Sequence, residues 1–183
     1  MGIPTLIKTL TASGDSSLSF VDGTSDVVLD STYDEYMFVM TDINLATDNT
    51  DFQFNLSTDS GSNYNATKTT TAFHAYHNEA GTDTILAYAA PTDLAQGTGH
   101  QSIGLDMGNG SDESGAGILH VFSPASTTYV KHFYSRFQEY HQGNYSLELY
   151  IAGYANTTSA VDAITFLAAS GNFDGVIQMY GIS

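Results

Sequence analysis

Apolar and polar residues alternate along this chain with a period of two, and the 3.6-residue spacing of an amphipathic helix is hard to find. Phe52, Phe54 and Leu56 alternate with Asp51, Gln53 and Asn55, the pattern of a strand with one covered and one wet face. The same reasoning predicts strands over residues 6–11, 18–21, 27–29, 36–45, 71–76, 84–89, 101–107, 117–122, 128–138, 146–154, 163–168 and 175–182. Between them lie Ser13-Gly14-Asp15, Asp22-Gly23, Asp59-Ser60-Gly61-Ser62-Asn63, Gly108-Asn109-Gly110-Ser111 and Gln142-Gly143-Asn144. Gly, Asn and Asp tolerate positive φ, so these clusters mark the reversals. Residues 30–36 and 91–97 open with polar or proline residues suited to a single helical turn. Many short strands without a convincing helix predict an all-β fold, an antiparallel, jelly-roll-like β-sandwich.

Composition adds size and compartment. The 183 residues are 42% hydrophobic and 13% charged with 3 prolines, which suits one domain over residues 1–183 with no linker. No window reaches the roughly 18 apolar residues of a spanning helix, and residues 1–10 lack the basic start of a secretion signal. The chain therefore reads as soluble and unprocessed. Zero cysteine removes disulfides, thiolate nucleophiles and Cys-ligated zinc together.

Charge excludes more. Lys8, Lys68, Lys131 and Arg136 face 20 acidic residues, giving a net charge of -16. Four scattered cations cannot build the cluster that a phosphate backbone or an anionic membrane surface requires, so neither nucleic acid nor membrane is expected as a partner. The acidic excess reads as a solvated surface, and a high-salt habitat would screen its self-repulsion.

The familiar catalytic patterns, a Walker loop, G-x-S-x-G, H-E-x-x-H and a strand-to-helix G-x-G-x-x-G, do not occur. His74 and His77 in Phe73-His74-Ala75-Tyr76-His77 invite a metal reading, but residues three apart on a strand point to opposite faces. Asp106, Asn109, Ser111, Asp112 and Glu113 make an oxygen-rich loop that lacks the alternate ligands and terminal bidentate Glu of a calcium loop. It reads as an acidic turn. Asp34-Glu35 and Asp112-Glu113 are neighbouring carboxylates, yet nothing places a pair across a cleft at the separation of about 5 to 9 Å that glycoside chemistry uses. The sequons at Asn55, Asn65, Asn109, Asn144 and Asn156 would matter only in a secretory compartment. No catalytic, cofactor-binding or metal residue is assigned, and no cofactor is expected.

Twelve tyrosines accompany ten phenylalanines and no tryptophan. Tyr129, Phe133, Tyr134, Phe137, Tyr140 and Tyr145 crowd one hairpin-like region. Alternation puts Tyr129, Phe133 and Phe137 on one face and Tyr134 on the other, so one set is expected in the core and the other against a neighbouring sheet or subunit.

Near residue 183 the sequence becomes more specific. Ala163-Ile164-Thr165-Phe166, Ser170-Gly171-Asn172-Phe173, Gly175 and Tyr180-Gly181-Ile182 describe a strand, a glycine-bearing turn and a closing strand. This resembles the closing hairpin of virion proteins of tailed bacteriophages, marine ones especially. The run Phe52-Gln53-Phe54-Asn55-Leu56-Ser57-Thr58-Asp59-Ser60-Gly61-Ser62-Asn63-Tyr64 is similar to a second element of those proteins, and Leu18-Ser19-Phe20-Val21-Asp22-Gly23 and Tyr36-Met37-Phe38-Val39-Met40-Thr41-Asp42-Ile43 are consistent with it. The resemblance implies a non-enzymatic building block on the exterior of a phage particle, assembling with itself, as a trimer by likeness, and with a major capsid or tail protein. Lacking heptads and repeats for a fibre shaft, the chain suits a head decoration protein, or a small tail or fibre-knob component, better than a whole fibre. The alternative is an adhesin or carbohydrate-binding module at the tail or fibre tip, with calcium from the 106–113 loop; a carboxylate-dependent depolymerase comes third. Ile3, Leu6, Ile7, Val176, Ile177 and Met179 are the expected interface residues.

Overall fold

The structure is a computed structural model describing residues 2–183. Twelve strands build it: β1 (Thr5–Asp15), β2 (Ser17–Val21), β3 (Glu35–Leu45), β4 (Thr50–Ser57), β5 (Lys68–Asn78), β6 (Thr84–Tyr88), β7 (Gln101–Met107), β8 (Gly115–Phe122), β9 (Lys131–His141), β10 (Tyr145–Ala155), β11 (Ala163–Ala168) and β12 (Phe173–Ile182). Among the described residues no helix is long and apolar enough to cross a membrane.

Eight strands pair in nested order, β1 with β12, β2 with β11, β3 with β8 and β4 with β7, all antiparallel. That nesting is what results when one long hairpin wraps around itself, the connectivity of a jelly roll. The other four strands are two hairpins set into it. β5–β6 lies between β4 and β7 in sequence, β9–β10 between β8 and β11, and they join through β10 and β5 over an unbroken register from Tyr145↔Asn78 to Ala155↔Lys68. The result is a ribbon, β9-β10-β5-β6, extending the sheet beyond β8.

The path β1-β12-β3-β8-β9-β7-β4-β11-β2 runs nearly round a barrel. Only Ser16 separates β1 from β2, and β9 meets β7 through the single pair Met107↔His141. The antiparallel all-β class is as expected, but the form is a nearly closed barrel rather than two separate sheets. Its interior is packed with Phe20, Phe38, Phe52, Phe54, Phe137, Phe166 and Phe173, all buried. Phe166 is central, with ring centroids 5.5 Å from Phe38 and 6.3 Å from Phe20 and Phe52. Each such ring contributes roughly 1.5–3 kcal/mol through burial.

Three local expectations fail. Residues 27–29 form no strand: Ser25 and Asp26 have positive φ, Val27 N–H donates to the Thr24 carbonyl, and Leu29 N–H donates to the Asp22 carboxylate. Val27 and Leu29 are buried, so their apolar signal came from plugging the core out of a turn. The 30–36 and 91–97 segments contain no helical turn. Tyr129 precedes β9 and is 73% exposed, so it does not share the covered face of Phe133 and Phe137.

Candidate functional site

The ribbon has two unlike faces. Registers across β8, β9, β10 and β5 align His120, Tyr134, Ala152 and Thr71 in one row pointing away from the core. The next row, extended to β6, is Ile118, Arg136, Tyr150, Phe73 and Tyr88. Opposite residues of an antiparallel pair lie close enough to touch, and these do. Phe73 stacks on Tyr150 at 4.6 Å with the rings 6° from parallel, and His120 stacks on Tyr134 at 4.5 Å. The Arg136 guanidinium sits 5.6 Å from the centre of the Tyr150 ring.

Where Ala152 and Gly153 interrupt the aromatics, a groove of about 440 Å³ opens between Phe122, Tyr134 and Tyr154, with Thr69, Thr71 and His132 on its rim. Gly153 belongs to the inward-facing row with Phe133 and Thr70, where a side chain would strike the Thr69 carbonyl at 2.5 Å and the Thr70 side chain at 2.6 Å. No Asp, Glu, Lys or Arg lines it. Elsewhere on this face Glu35 pairs with His120 and Glu148 with Arg136, while Asp93 and Glu79 accept the hydroxyls of Tyr88 and Tyr140. Of nine large apolar side chains exposed among the described residues, five (Phe73, Leu86, Tyr88, Ile118 and Tyr134) project from the outer face of β8-β9-β10-β5-β6. Such concentration distinguishes an interaction surface from the scattered apolar exposure of any soluble protein.

The covered face carries ionisable groups instead. Lys68 and Lys131 flank Ala155 in one row, both fully buried and neither paired with a carboxylate. The Lys68 ammonium donates to Asn55 Oδ1 at 2.5 Å and the Ala66 carbonyl at 2.8 Å; Lys131 donates to the carbonyls of Tyr129 and Thr157. Each lysine thus fastens loops to the barrel end. Desolvation lowers the Lys68 pKa to about 8 and lowers that of Lys131 as well. Glu139, also buried, accepts the Leu105 N–H on both carboxylate oxygens. Burial holds its pKa well above the usual carboxylate range, the Leu105 bond opposes, and Asp51 and Asp106 push it further up. The placement follows from the barrel seam: β9 offers β7 only one backbone pair, so a side chain must receive the Leu105 N–H.

The other sequence candidates disperse. His74 lies on the covered side of β5 with a buried, unpartnered Nδ1, while His77 faces solvent, so the pair does not converge. In the 106–113 loop Glu113 turns inward to accept the Gly110 N–H, Asn44 donates to the Gly110 and Glu113 carbonyls, and Asp106 lies 3.9 Å from His141. Of these side chains Glu113 is engaged by the loop's own backbone, and the set does not gather around a common centre. Among the described residues no three His, Asp or Glu side chains are grouped to hold a metal. Of the carboxylate neighbours, Glu35 is bound to His120. Asn55 is buried in hydrogen bonds to Tyr64, Thr98 and Lys68; the other four sequon asparagines are exposed.

The expected interface needs correction. Ile177 and Met179 are fully buried, and residues 5–15 pair with β12 of the same chain, so this apolar segment is largely internal sheet. Ile3 and Leu6 stay exposed. Phe133 and Phe137 fill the core and Tyr134 faces out, as alternation predicts. The expectation of an outward aromatic set stopped at β9 and did not extend to Tyr150 and Phe73, although Leu149-Tyr150-Ile151-Ala152-Gly153-Tyr154 is apolar at both parities, the mark of a strand with two non-aqueous faces.

No family model matches the chain, and no curated protein or solved structure shows significant similarity to it.

Proposed function

We propose that this chain is a non-enzymatic structural protein of a tailed-phage particle, made in the host cytoplasm and carried on the virion exterior. Head decoration is the preferred role, as a homo-oligomer, a trimer by likeness, seated on the major capsid protein. The virion assignment rests on the resemblance of its turn and closing-strand sequences. The observation that carries the assembling role is the gathering of exposed aromatic and aliphatic side chains on one face of the sheet.

The second reading, an adhesin at the tail or fibre tip, draws on the same aromatics. A sugar site pairs exposed Tyr with Asp or Asn inside a concavity. This groove has Tyr134 and Tyr154 but Thr and His where the carboxylates and amides would be, which favours contact with protein. Electron microscopy of the intact particle, with the chain located in the density, tests the choice. Density over the capsomers is the expected result. Density at a fibre tip transfers the assignment to the adhesin, and absence from the particle overturns both.

A further inference from the structure

Two side chains at the covered end of the barrel meet as nucleophile and electrophile. Lys68 opens β5, Asn55 lies near the end of β4, and both are 0% exposed. Lys68 Nζ stands 2.5 Å from Asn55 Oδ1, and a C=O bond of about 1.23 Å then keeps it within about 3.7 Å of the carboxamide carbon. The amide's other bonds fix which way it faces. Nδ2 donates to the carbonyls of Tyr64 at 2.6 Å and Thr98 at 3.1 Å, while Oδ1 also accepts the Leu56 N–H at 2.9 Å. Reversing the amide would set donor against donor and acceptor against acceptor.

Lys131 is the internal comparison. It is as deeply buried, but its ammonium donates to the backbone carbonyls of Tyr129 and Thr157 and to no side-chain amide. Attack on a backbone carbonyl would sever the chain, whereas attack on the Asn55 side chain expels only ammonia. Desolvation lowers the Lys68 pKa to about 8, so on the order of one chain in ten carries the neutral, nucleophilic amine at pH 7. Contact makes the encounter unimolecular, and burial of both groups keeps water from competing for the carbon.

We infer that Lys68 and Asn55 join through an intramolecular amide bond once the chain has folded. The neutral Nζ attacks Asn55 Cγ, the Nζ–Cγ bond forms and the Cγ–Nδ2 bond breaks. A proton passes from Nζ to Nδ2, which departs as ammonia, so no oxidant, reductant or second substrate is needed. The surrounding groups match the charges that develop. The Leu56 N–H faces the oxygen that turns negative, the Ala66 carbonyl accepts from the attacking nitrogen, and the Tyr64 and Thr98 carbonyls accept from the departing nitrogen as it gains its proton. The product ties β4 to β5 covalently in a chain that has no cysteine to do so. Any dependence of stability on titration of the Lys68 ammonium belongs to the chain before this bond forms. The bond is independent of the assembling role and of any place in a particle.

Mass spectrometry of the purified, folded chain tests the bond. After incubation about one pH unit above the Lys68 value, where the amine is mostly neutral, the intact mass is expected to fall about 17 Da below that of the sequence, the mass of one ammonia. Cleavage after acidic residues cuts at Asp51, Asp59 and Glu79 and so parts Asn55 from Lys68 along the main chain. In the bonded chain the peptides 52–59 and 60–79 are expected to stay joined. Lys68→Met, shown to be folded by unchanged circular dichroism, is expected to keep its full mass and to release the two peptides separately. Both wild-type readings stand without the variant. A folded wild-type chain that holds its full mass overturns the inference. So does a loss of ammonia that persists in Lys68→Met or lies within a single peptide, the mark of a succinimide such as Asn109-Gly110 can form.

Discussion

β4 and β9 both flank β7, and they fill their covered faces with different residues. β4 buries Phe52, Phe54 and Leu56 and leaves Asp51 and Gln53 half-exposed, the expected division for a strand on a core. β9 buries Lys131 and Glu139 along with Phe133 and Phe137, and turns Tyr134 outward. With Lys68 on β5, the ribbon places three ionisable groups inside and its aromatic ladder outside. The difference shows that a strand's inner face serves hydrogen-bond satisfaction as well as burial. Where the barrel closes through one backbone pair, side chains must complete the bonding, and only long polar ones reach. The outer face meanwhile mixes aromatic side chains with the Arg136–Glu148 pair and half-exposed polar residues.

That contrast yields predictions of decreasing size. Phe166→Ala should destabilise most, by about 3–5 kcal/mol in denaturant unfolding, because four phenylalanine rings lose their common contact. A loss below about 1 kcal/mol would show a barrel able to collapse into the space.

Lys68 comes next. Its pKa of about 8 in the folded chain lies below the ordinary lysine value, so between those two pH values the unfolded chain holds a proton that the folded chain has shed. Folding stability therefore rises with pH through that window. Relative to Lys68→Met, wild type should gain on the order of 1–3 kcal/mol between pH 8 and pH 10.5, read from urea melts at each pH. Parallel curves would mean that water reaches the ammonium.

Glu139 has the reverse sign. Its pKa is raised on folding, so its stabilising contribution is complete below the ordinary glutamate range and declines as pH climbs toward the raised value. Glu139→Gln preserves an acceptor for the Leu105 N–H and cannot ionise, so its stability should fall less than wild type's between pH 4 and pH 8. A steeper fall in the variant would contradict a desolvated carboxyl.

The smallest effect belongs to the outer face. Phe73→Ala breaks the stack on Tyr150 yet should change monomer stability by no more than about 1 kcal/mol, since Phe73 is 44% exposed and a cross-strand pair is worth roughly 0.2–1 kcal/mol. A larger loss would place Phe73 among the residues that hold the barrel together.

Much of the fold was legible in advance. Alternation located all twelve strands to within a few residues, because one-sided burial imposes a period of two wherever a sheet covers a core. It failed at 27–29, where Val27 and Leu29 meet the core from a turn, and at Tyr129, where alternation was extended past the first strand residue, Lys131. The outer face was less legible. Tyr150, Tyr154 and Phe73 are apolar at the solvent parity, but their gathering depends on β10 choosing β5 as its partner, a pairing of residues more than 60 positions apart in sequence.

The sequence by itself determined the class, the strands and the turn positions, since these follow from local alternation and from residues that tolerate positive φ. Tertiary structure decided the rest. Strand order cannot be read from period, because every alternating strand is an equally good neighbour until loop lengths and core packing choose. That choice put two of the four cations inside the protein, left β6 unpaired along one edge, and brought Ala152, Phe122 and Tyr134 from three strands to one groove.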